Sequence, residues 1–118
     1  MAASGVPAAG MTVHRGEVWW VDFDVVEDGE IRKMRPAVVV TADALNRVRR
    51  TVVVIPLASG LQPRPPIVVA TPSAGEHRVA VCDQARAVDK ARLTRTAGQL
   101  SASDLRAVEE GLRRILEL

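Results

Sequence analysis

The sequence predicts a small, mainly β domain in which six or seven short strands form a barrel and one amphipathic helix closes the chain. Two observations predict this fold. Between Gly16 and Gly98, short β-branched and apolar runs alternate with breaks rich in Gly, Pro and polar residues. Over residues 99–118 the apolar residues change to the helical period. The chain of 118 residues has room for one compact domain.

The predicted strands follow one another closely. Glu17–Phe23 is aromatic and β-branched, and Pro36–Thr41 is an apolar run typical of a strand covered on both faces. Thr51–Ile55 forms a third strand that is predicted to stop at Pro56. Further strands are predicted over 67–69, 78–82, 84–88 and, as a short seventh, 93–98.

Two segments have helical character. Residues 42–46 predict a turn or short helix with Asp43 as its cap. Ser101 and Asp104 form a capping box that starts the C-terminal helix. The apolar residues behind this box recur at helical spacing and predict a face that packs on the barrel: Leu105, Val108, Leu112, Ile115 and Leu116.

Three further features of the sequence concern the N-terminal segment, membrane helices and the single cysteine. Residues 1–13 are predicted to be a flexible leader, with Met11 as an alternative start, before a single domain over 14–118. No apolar run approaches the ~18 residues of a membrane helix, so we expect a soluble, cytoplasmic protein. Cys82 is the single cysteine, which excludes a disulfide framework, and its apolar neighbours predict a buried structural thiol.

The charges are separated along the chain although the net charge is only +2. Residues 17–30 contain six acids and no base, whereas residues 31–98 contain twelve bases and four acids. A basic segment of this strength indicates a binder of polyanions such as nucleic acid. Arginines that only solvate the surface are the alternative.

Several kinds of site are excluded by residue type. The two histidines, His14 and His77, belong to no cluster with metal-ligand spacing, and no glycine-rich phosphate loop is present. Trp19, Trp20 and Phe23 are the only aromatic residues, so we expect that no ligand site rests on aromatic stacking. The two tryptophans are adjacent in a strand and should point to opposite faces, with one in the core.

The remaining arginines, carboxylates and hydroxyls suffice for one reaction class without metal or cofactor. In that class, the 2′-hydroxyl of an RNA strand attacks the neighbouring phosphate. The protein then supplies a base, an acid and cations around the developing phosphorane charge. DNA lacks the 2′-hydroxyl and is not cut by this route.

Four blocks occur in order: Arg15–Phe23 (RGEVWWVDF), Arg35–Val40 (RPAVVV), Cys82–Leu93 (CDQARAVDKARL) and the closing helix. Together they resemble the MazF/PemK family, the toxins of bacterial toxin–antitoxin pairs, over residues 14–118. The resemblance implies a mainly β, SH3-like small barrel with an amphipathic C-terminal helix. It also implies a homodimer that inhibits growth by cutting single-stranded mRNA at short sequences, with no metal or other cofactor, leaving a 2′,3′-cyclic phosphate and a 5′-hydroxyl. The implied partner is a MazE-like antitoxin whose acidic tail lies across the RNA groove.

The resemblance also implies catalytic residues. Arg35 matches the family's catalytic arginine, which would stabilise the phosphorane and protonate the leaving 5′-oxygen. Glu30 matches an acid that would act as general base or orient Arg35; a solvated acidic loop is the alternative. Relatives carry a threonine where this chain has Ala58, so either Ser59 supplies the hydroxyl or Arg35 acts with Glu30 alone, and Ser59 is then a plain loop residue. The candidates for contact with RNA are Gln84, Arg86, Arg64, Arg49 and Arg50.

Two functions of other classes stay open at this point. One is a CcdB-like toxin, a similar barrel that poisons DNA gyrase through a protein contact. The Arg35–Pro36 pair favours the nuclease, because a gyrase poison needs no such arginine, whereas the missing threonine keeps the poison open. The other is a noncatalytic barrel that only binds RNA or an antitoxin-like peptide.

Overall fold

The computed structural model describes residues 12–23 and 34–118. The predicted leader falls almost wholly outside the described residues, and so does Glu30. The helices and strands are β1 (Glu17–Asp22), β2 (Met34–Val39), α1 (Asp43–Val48), β3 (Thr51–Ser59), β4 (Val68–Ala70), β5 (Arg78–Val81), β6 (Arg86–Asp89), β7 (Leu93–Gln99) and α2 (Ala102–Leu116). The predicted mainly β fold with a C-terminal helix is confirmed. Neither helix of the described residues is long and apolar enough to cross a bilayer.

All strand pairs are antiparallel, and β3 connects two parts of the sheet. The strand order is β4-β5-β3-β2-β1-β7, and β6 pairs with β3 beside this path. The first half of β3 pairs with β6 through Thr51–Val54, and its last residues pair with β5 through Leu57–Ser59. The strand therefore passes from one part of the sheet to the other between these two ladders.

The prediction that Pro56 ends the third strand is wrong. The strand continues through Pro56 to Ser59, and Pro56 pairs with Ala37 of β2. Proline lacks the N–H that a central strand donates to its ladder. At this position, however, the ladder to β6 has ended at Val54 and the ladder to β5 has not yet begun at Leu57, so β3 tolerates a residue without a donor.

The sheet buries apolar side chains on both faces, because successive side chains of a strand point to opposite sides. We call the cluster on one face the first core: Val13, Trp19, Val21, Ala37, Val39, Val52, Val54, Val88 and Leu93. The second core lies on the other face, against α2: Val18, Val38, Ile55, Leu57, Val69, Ala80, Cys82, Leu100 and Val108. As predicted, the adjacent tryptophans separate: Trp19 is buried in the first core and Trp20 is half-buried.

The free Cys82 thiol is buried in the second core, as predicted. Burial, assisted by the neighbouring Asp83 carboxylate, raises the pKa of the Cys82 thiol to about 11. The thiol is therefore neutral at physiological pH, which agrees with a structural role.

Asp43 does not cap the short helix, contrary to the prediction. Helix α1 begins at Asp43, and Ala42 occupies the N-cap position without a side-chain hydrogen bond. Instead, Asp43 Oδ1 accepts a hydrogen bond of 2.7 Å from the backbone N–H of Arg15. This hydrogen bond is the largest of the contributions that lower the pKa of the Asp43 carboxyl from its usual value. Asp43 thus ties the segment before β1 to α1.

The N-terminus of α2 confirms the predicted cap and adds a residue to it. Ser101 Oγ accepts the Asp104 N–H at 3.1 Å. The Asp104 carboxylate does not reach back to the Ser101 backbone directly but accepts from both the N–H and the hydroxyl of Ser73, whose Oγ in turn accepts the Ser101 N–H at 2.9 Å. The turn Pro72–Ala74, between β4 and β5, therefore completes the cap.

The predicted apolar face of α2 is correct except at its end. Val108 is buried, and Leu105, Leu112 and Ile115 pack against the second core. Leu116 is 59% exposed and lies outside the contact.

Helix α2 approaches the sheet most closely at Gly111. A Cβ added there would lie 2.8 Å from the carbonyl oxygen of Pro66 and 3.1 Å from Cys82 Sγ. The first neighbour is backbone, which cannot rotate away, so the absence of a side chain allows this helix position to approach the loop before β4.

We expect Gly111→Ala to destabilise the protein by about 1–3 kcal/mol because the added methyl overpacks this contact. Helix propensity alone predicts the opposite sign, since alanine is favoured over glycine by about 1 kcal/mol. Urea unfolding monitored by tryptophan fluorescence measures the difference. Arg106→Ala, at an exposed position of the same helix, is the control, with a change within about 0.5 kcal/mol. A stabilised Gly111→Ala protein would contradict the close approach.

Candidate functional site

One open groove collects residues from four separate parts of the chain. Its volume is about 480 Å³, and it is lined by Phe23, Arg35, Pro56, Gln84 and Arg86. Three of these residues, Arg35, Gln84 and Arg86, are candidates from the sequence. Gln84 and Arg86 are neighbours in the sequence, and the fold brings the distant Arg35 to them.

The groove continues the face of the sheet that carries the first core. Residues two apart in a strand share a face, so a residue two positions beyond a buried one lies next to it along that face. Four lining residues stand in this relation to first-core residues: Phe23 to Val21, Arg35 to Ala37, Pro56 to Val54 and Arg86 to Val88. The buried face thus positions the groove, and the lining residues extend it toward solvent.

Arg35 supplies an available cation to the groove. It is exposed as the second residue of β2 and pairs with Val21 in the ladder to β1. Among residues 12–23 and 34–118, no carboxylate lies within 4.0 Å of its guanidinium. An arginine in this position presents its planar fork of N–H donors to an anion in the groove.

Arg86 and Phe23 form a stacked pair on one wall. The guanidinium carbon of Arg86 lies 5.2 Å from the centroid of the Phe23 ring, within cation–π range. Phe23 thus lines the groove, although the sequence analysis did not name it as a site residue. The sequence does carry a signal for Phe23. It follows Trp19 and Val21 at intervals of two residues, so it lies on the same face of β1 as these two buried residues.

Gln84 reaches the groove from a turn, because the predicted sixth strand begins two residues later than expected. Residues Cys82–Gln84 form a 3-10 turn, and β6 starts at Arg86. The exposed Gln84 amide adds both a donor and acceptors to a lining that otherwise offers arginine donors.

Ser59 is not brought to this groove. It lies at the end of β3 in register with Arg78 of β5. Alternation along β3 places Ser59 on the face of Ile55 and Leu57, which belong to the second core. Ala58, two residues after Pro56, is on the face of the groove.

Three arginines named as candidates also lie outside the groove lining. Arg64 forms a backbone bridge with Val68, and Arg49 is exposed at the end of α1. Arg50 is 3.4 Å from the carboxylate of Asp89, the last residue of β6.

A smaller trough of about 230 Å³ adjoins the groove and shares Phe23 and Arg86 with it. It runs beside β6 toward Asp89 and Arg92. Arg92 Nη1 donates to the backbone oxygen of Asp22 at 3.3 Å and lies 3.9 Å from its carboxylate. Within the described part of the chain, no group of three or more His, Cys, Asp or Glu residues forms a candidate metal site.

Residues 14–116 match the family described as PemK-like, MazF-like toxin of type II toxin-antitoxin system. The chain belongs to this family. The endoribonuclease MazF9 of Mycobacterium tuberculosis is 31% identical over 115 residues, which cover 90% of this chain and 98% of that relative. The endoribonuclease PemK of Escherichia coli is 38% identical over 85 residues, which cover 68% of this chain and 64% of PemK.

Solved structures confirm the family's fold. MazF of Deinococcus radiodurans matches with a TM-score of 0.76 at 24% identity, covering 92% of this chain and 99% of that one. MazF from a MazE–MazF complex of the same organism matches with a TM-score of 0.78 at 24% identity, with the same coverage of both chains. A mycobacterial endoribonuclease in complex with its cognate antitoxin matches with a TM-score of 0.73 at 20% identity, covering 89% of this chain and 95% of that one.

Proposed function

We propose that this chain is the toxin of a type II toxin–antitoxin system and an endoribonuclease that cuts single-stranded mRNA in the Arg35 groove. The observation that carries the proposal is the convergence of Arg35, Gln84 and Arg86 in one open groove. It is supported by membership of the PemK/MazF family and by two relatives that are named endoribonucleases. Cleavage in the cytoplasm stops translation and growth.

The proposed reaction is an internal transesterification of RNA. The 2′-oxygen attacks the adjacent phosphorus and loses its proton to a base, while the bond from phosphorus to the 5′-oxygen breaks and that oxygen gains a proton. The products are a 2′,3′-cyclic phosphate and a 5′-hydroxyl. The negative charge that develops on the phosphorane needs a fixed cation. Neither groove arginine has a carboxylate partner among the described residues, and Arg86 lies over the Phe23 ring, so Arg35 is the proposed cation. Because arginine supplies that cation, the mechanism needs no metal; Glu30 is the proposed base.

The other lining residues are proposed to hold the substrate. Arg86 would bind a phosphate, and its stacking on Phe23 leaves the guanidinium edge available as a donor. Phe23 offers an apolar face to a base, and the Gln84 amide can hydrogen-bond to a base edge. Together these contacts would select a short sequence around the cleaved bond.

Two protein partners are proposed from the family. A MazE-like antitoxin would lay an acidic segment over the same cations that bind RNA, so the two ligands would compete. MazE–MazF complexes of relatives support such a partner. A homodimer is proposed as well.

Cleavage of a long single-stranded RNA by the purified protein in EDTA tests the proposal. We expect cut ends that carry a cyclic phosphate, and we expect replacement of the 2′-hydroxyl at the mapped site by hydrogen to block cutting. Intact RNA together with trapped gyrase–DNA complexes would support the CcdB-like function. Salt-dependent retention of uncut RNA would support a binding module without catalysis.

Arg35→Ala is expected to lower the cleavage rate by about 10²–10³-fold, because removal of one preorganised donor from a developing oxyanion has that effect. Arg35→Lys keeps the charge but loses the planar fork of donors. Its cleavage rate should therefore lie between those of Arg35→Ala and the wild type. Arg106→Ala on α2 controls for loss of one positive charge far from the groove. A rate for Arg35→Ala within about twofold of the control would remove Arg35 from catalysis.

Ala58→Thr and Ser59→Ala separate the two candidate hydroxyl positions. Because Ala58 is on the groove face, Ala58→Thr should raise the cleavage rate by about 10-fold, the gain of one charge-directed hydrogen bond. Ala58→Val introduces a side chain of the same shape as threonine but without the hydroxyl, and it should not raise the cleavage rate. Ser59→Ala should change the rate less than about twofold, since Ser59 is on the opposite face. A large loss in Ser59→Ala would place its hydroxyl in the reaction.

A further inference from the structure

The Asp22 carboxylate at the end of β1 is a buried acidic group that the proposed reaction does not use. Acidic side chains are rarely buried unless a partner compensates the charge. Arg92 is such a partner, since its Nη1 donates to the Asp22 backbone oxygen at 3.3 Å and lies 3.9 Å from the carboxylate oxygen Oδ1. Arg92 therefore contacts both the main chain and the side chain of Asp22.

Arg92 holds β1 at the point where the ladder to β7 has ended. Val21 pairs with Leu93, which is the first residue of β7. In an antiparallel ladder the next pair would be Asp22 with Arg92, but Arg92 belongs to the turn Lys90–Arg92 that precedes the strand. The side chain of Arg92 thus supplies Asp22 with a donor where the ladder no longer does.

Phe23 comes directly after this contact and lies beyond the strand pairs. Asp22 is the last residue of β1 and pairs with Met34 of β2. The position of Phe23 therefore depends on how firmly Asp22 is held. The Phe23 side chain packs against the first core, and its ring centroid lies 5.2 Å from the guanidinium carbon of Arg86. A shift at the end of β1 would carry the ring away from Arg86.

The contacts of Arg92 close a ring of residues around the trough. Strand β6 runs from Arg86 to Asp89, and the Asp89 carboxylate caps the turn that carries Arg92 through a hydrogen bond of 2.8 Å. Arg92 contacts Asp22, and the next residue, Phe23, stacks on Arg86. The members of this ring all line the trough. Both partners of the stack are thereby tied to the same turn.

We propose that Arg92 is a positioning residue that holds the end of β1 and thereby keeps the Phe23 ring under Arg86. The proposal rests on the proposed function, in which Arg86 binds a phosphate of the substrate. Stacking on a fixed ring restricts the flexible arginine side chain before the substrate arrives, so less conformational entropy is lost on binding. Arg35 is held separately, by the pair with Val21. Arg92 therefore acts on substrate binding and not on the charge of the phosphorane.

The chain contains a single phenylalanine, which allows a direct measurement. Incorporation of para-fluorophenylalanine labels Phe23 alone, and the fluorine chemical shift reports the surroundings of its ring. The variants are Arg92→Met, which removes the charge and the donors, and Arg92→Lys, which keeps the charge. The matched control is Arg113→Met on α2, because Arg113 also contacts a carboxylate, that of Glu110 at 3.4 Å.

We expect the fluorine resonance to move in Arg92→Met, to move less and in the same direction in Arg92→Lys, and to stay in place in Arg113→Met. Urea unfolding shows which variants are folded, and Arg92→Lys carries the test if Arg92→Met is not folded. A resonance that stays at the wild-type position in a folded Arg92 variant would overturn the proposal, because the ring would then be held without Arg92.

Cleavage kinetics distinguish this positioning from a merely structural role. Weakening of one substrate contact should raise KM in Arg92→Met by about 5-fold, and kcat should change by less than about twofold. In a Phe23→Leu background, which lacks the ring, Arg92→Met should raise KM no further. Equal increases of KM in the two backgrounds would also overturn the proposal, because Arg92 would then act without the ring.

The two proposals fail separately in these measurements. If the wild-type protein leaves all RNA uncut while the fluorine resonance moves in the Arg92 variants alone, the nuclease function is lost and the role of Arg92 in holding the ring stands. If the wild type cuts RNA and the resonance does not move in the Arg92 variants, only the positioning role is lost.

Discussion

The two-residue period of the strands is the constraint on which the candidate site depends. The valine and alanine residues of the first core are buried, and this burial fixes which way each strand faces. Slipping one strand by a single residue would expose its core side chains and turn its groove residue to the opposite face. Burial of the uncharged side chains therefore determines the direction in which the charged side chains point.

The arrangement gives the groove cations a firm support. Arg35 and Arg86 project from β-strands rather than from loops, and their backbone is held by ladders to neighbouring strands. A binding group that is already oriented loses less conformational entropy when it meets its ligand. Substrate charge is then met by fixed donors, which is the condition under which such donors lower a barrier most.

The sequence was sufficient for the main architecture because the apolar patterns are strong. The succession of six or seven short strands, the C-terminal helix and the burial of Cys82 all follow from period and composition. The continuation of β3 through Pro56 does not follow from them. Proline normally breaks a ladder, and the change of partner strands along β3 makes it acceptable here. Asp43 misled for a related reason: its carboxylate is used by Arg15, twenty-eight positions away in the chain.

Site residues were predictable where a local motif marks them and not where geometry decides. Arg35, Gln84 and Arg86 belong to blocks that resemble the family, and the fold brings them together. Phe23 was missed because composition was considered without register. The sequence left open whether Ser59 replaces the missing threonine, and alternation along β3 places Ser59 on the face opposite to that of Ala58.

The passage of β3 between its two ladders divides the molecule into lobes with different tasks. One lobe carries the groove, and the other, with β4, β5 and α2, contains the Ser73–Asp104 cap and the close contact at Gly111. The two lobes are joined by β3, by the Cys82–Gln84 turn between β5 and β6 and by the step from β7 to α2, and Val18 and Val38 share the second core with Val108. The solvent-facing side of α2 is therefore the part of the helical lobe that can change while the groove keeps its shape. Substitutions on that outer face are thereby kept apart from the groove residues.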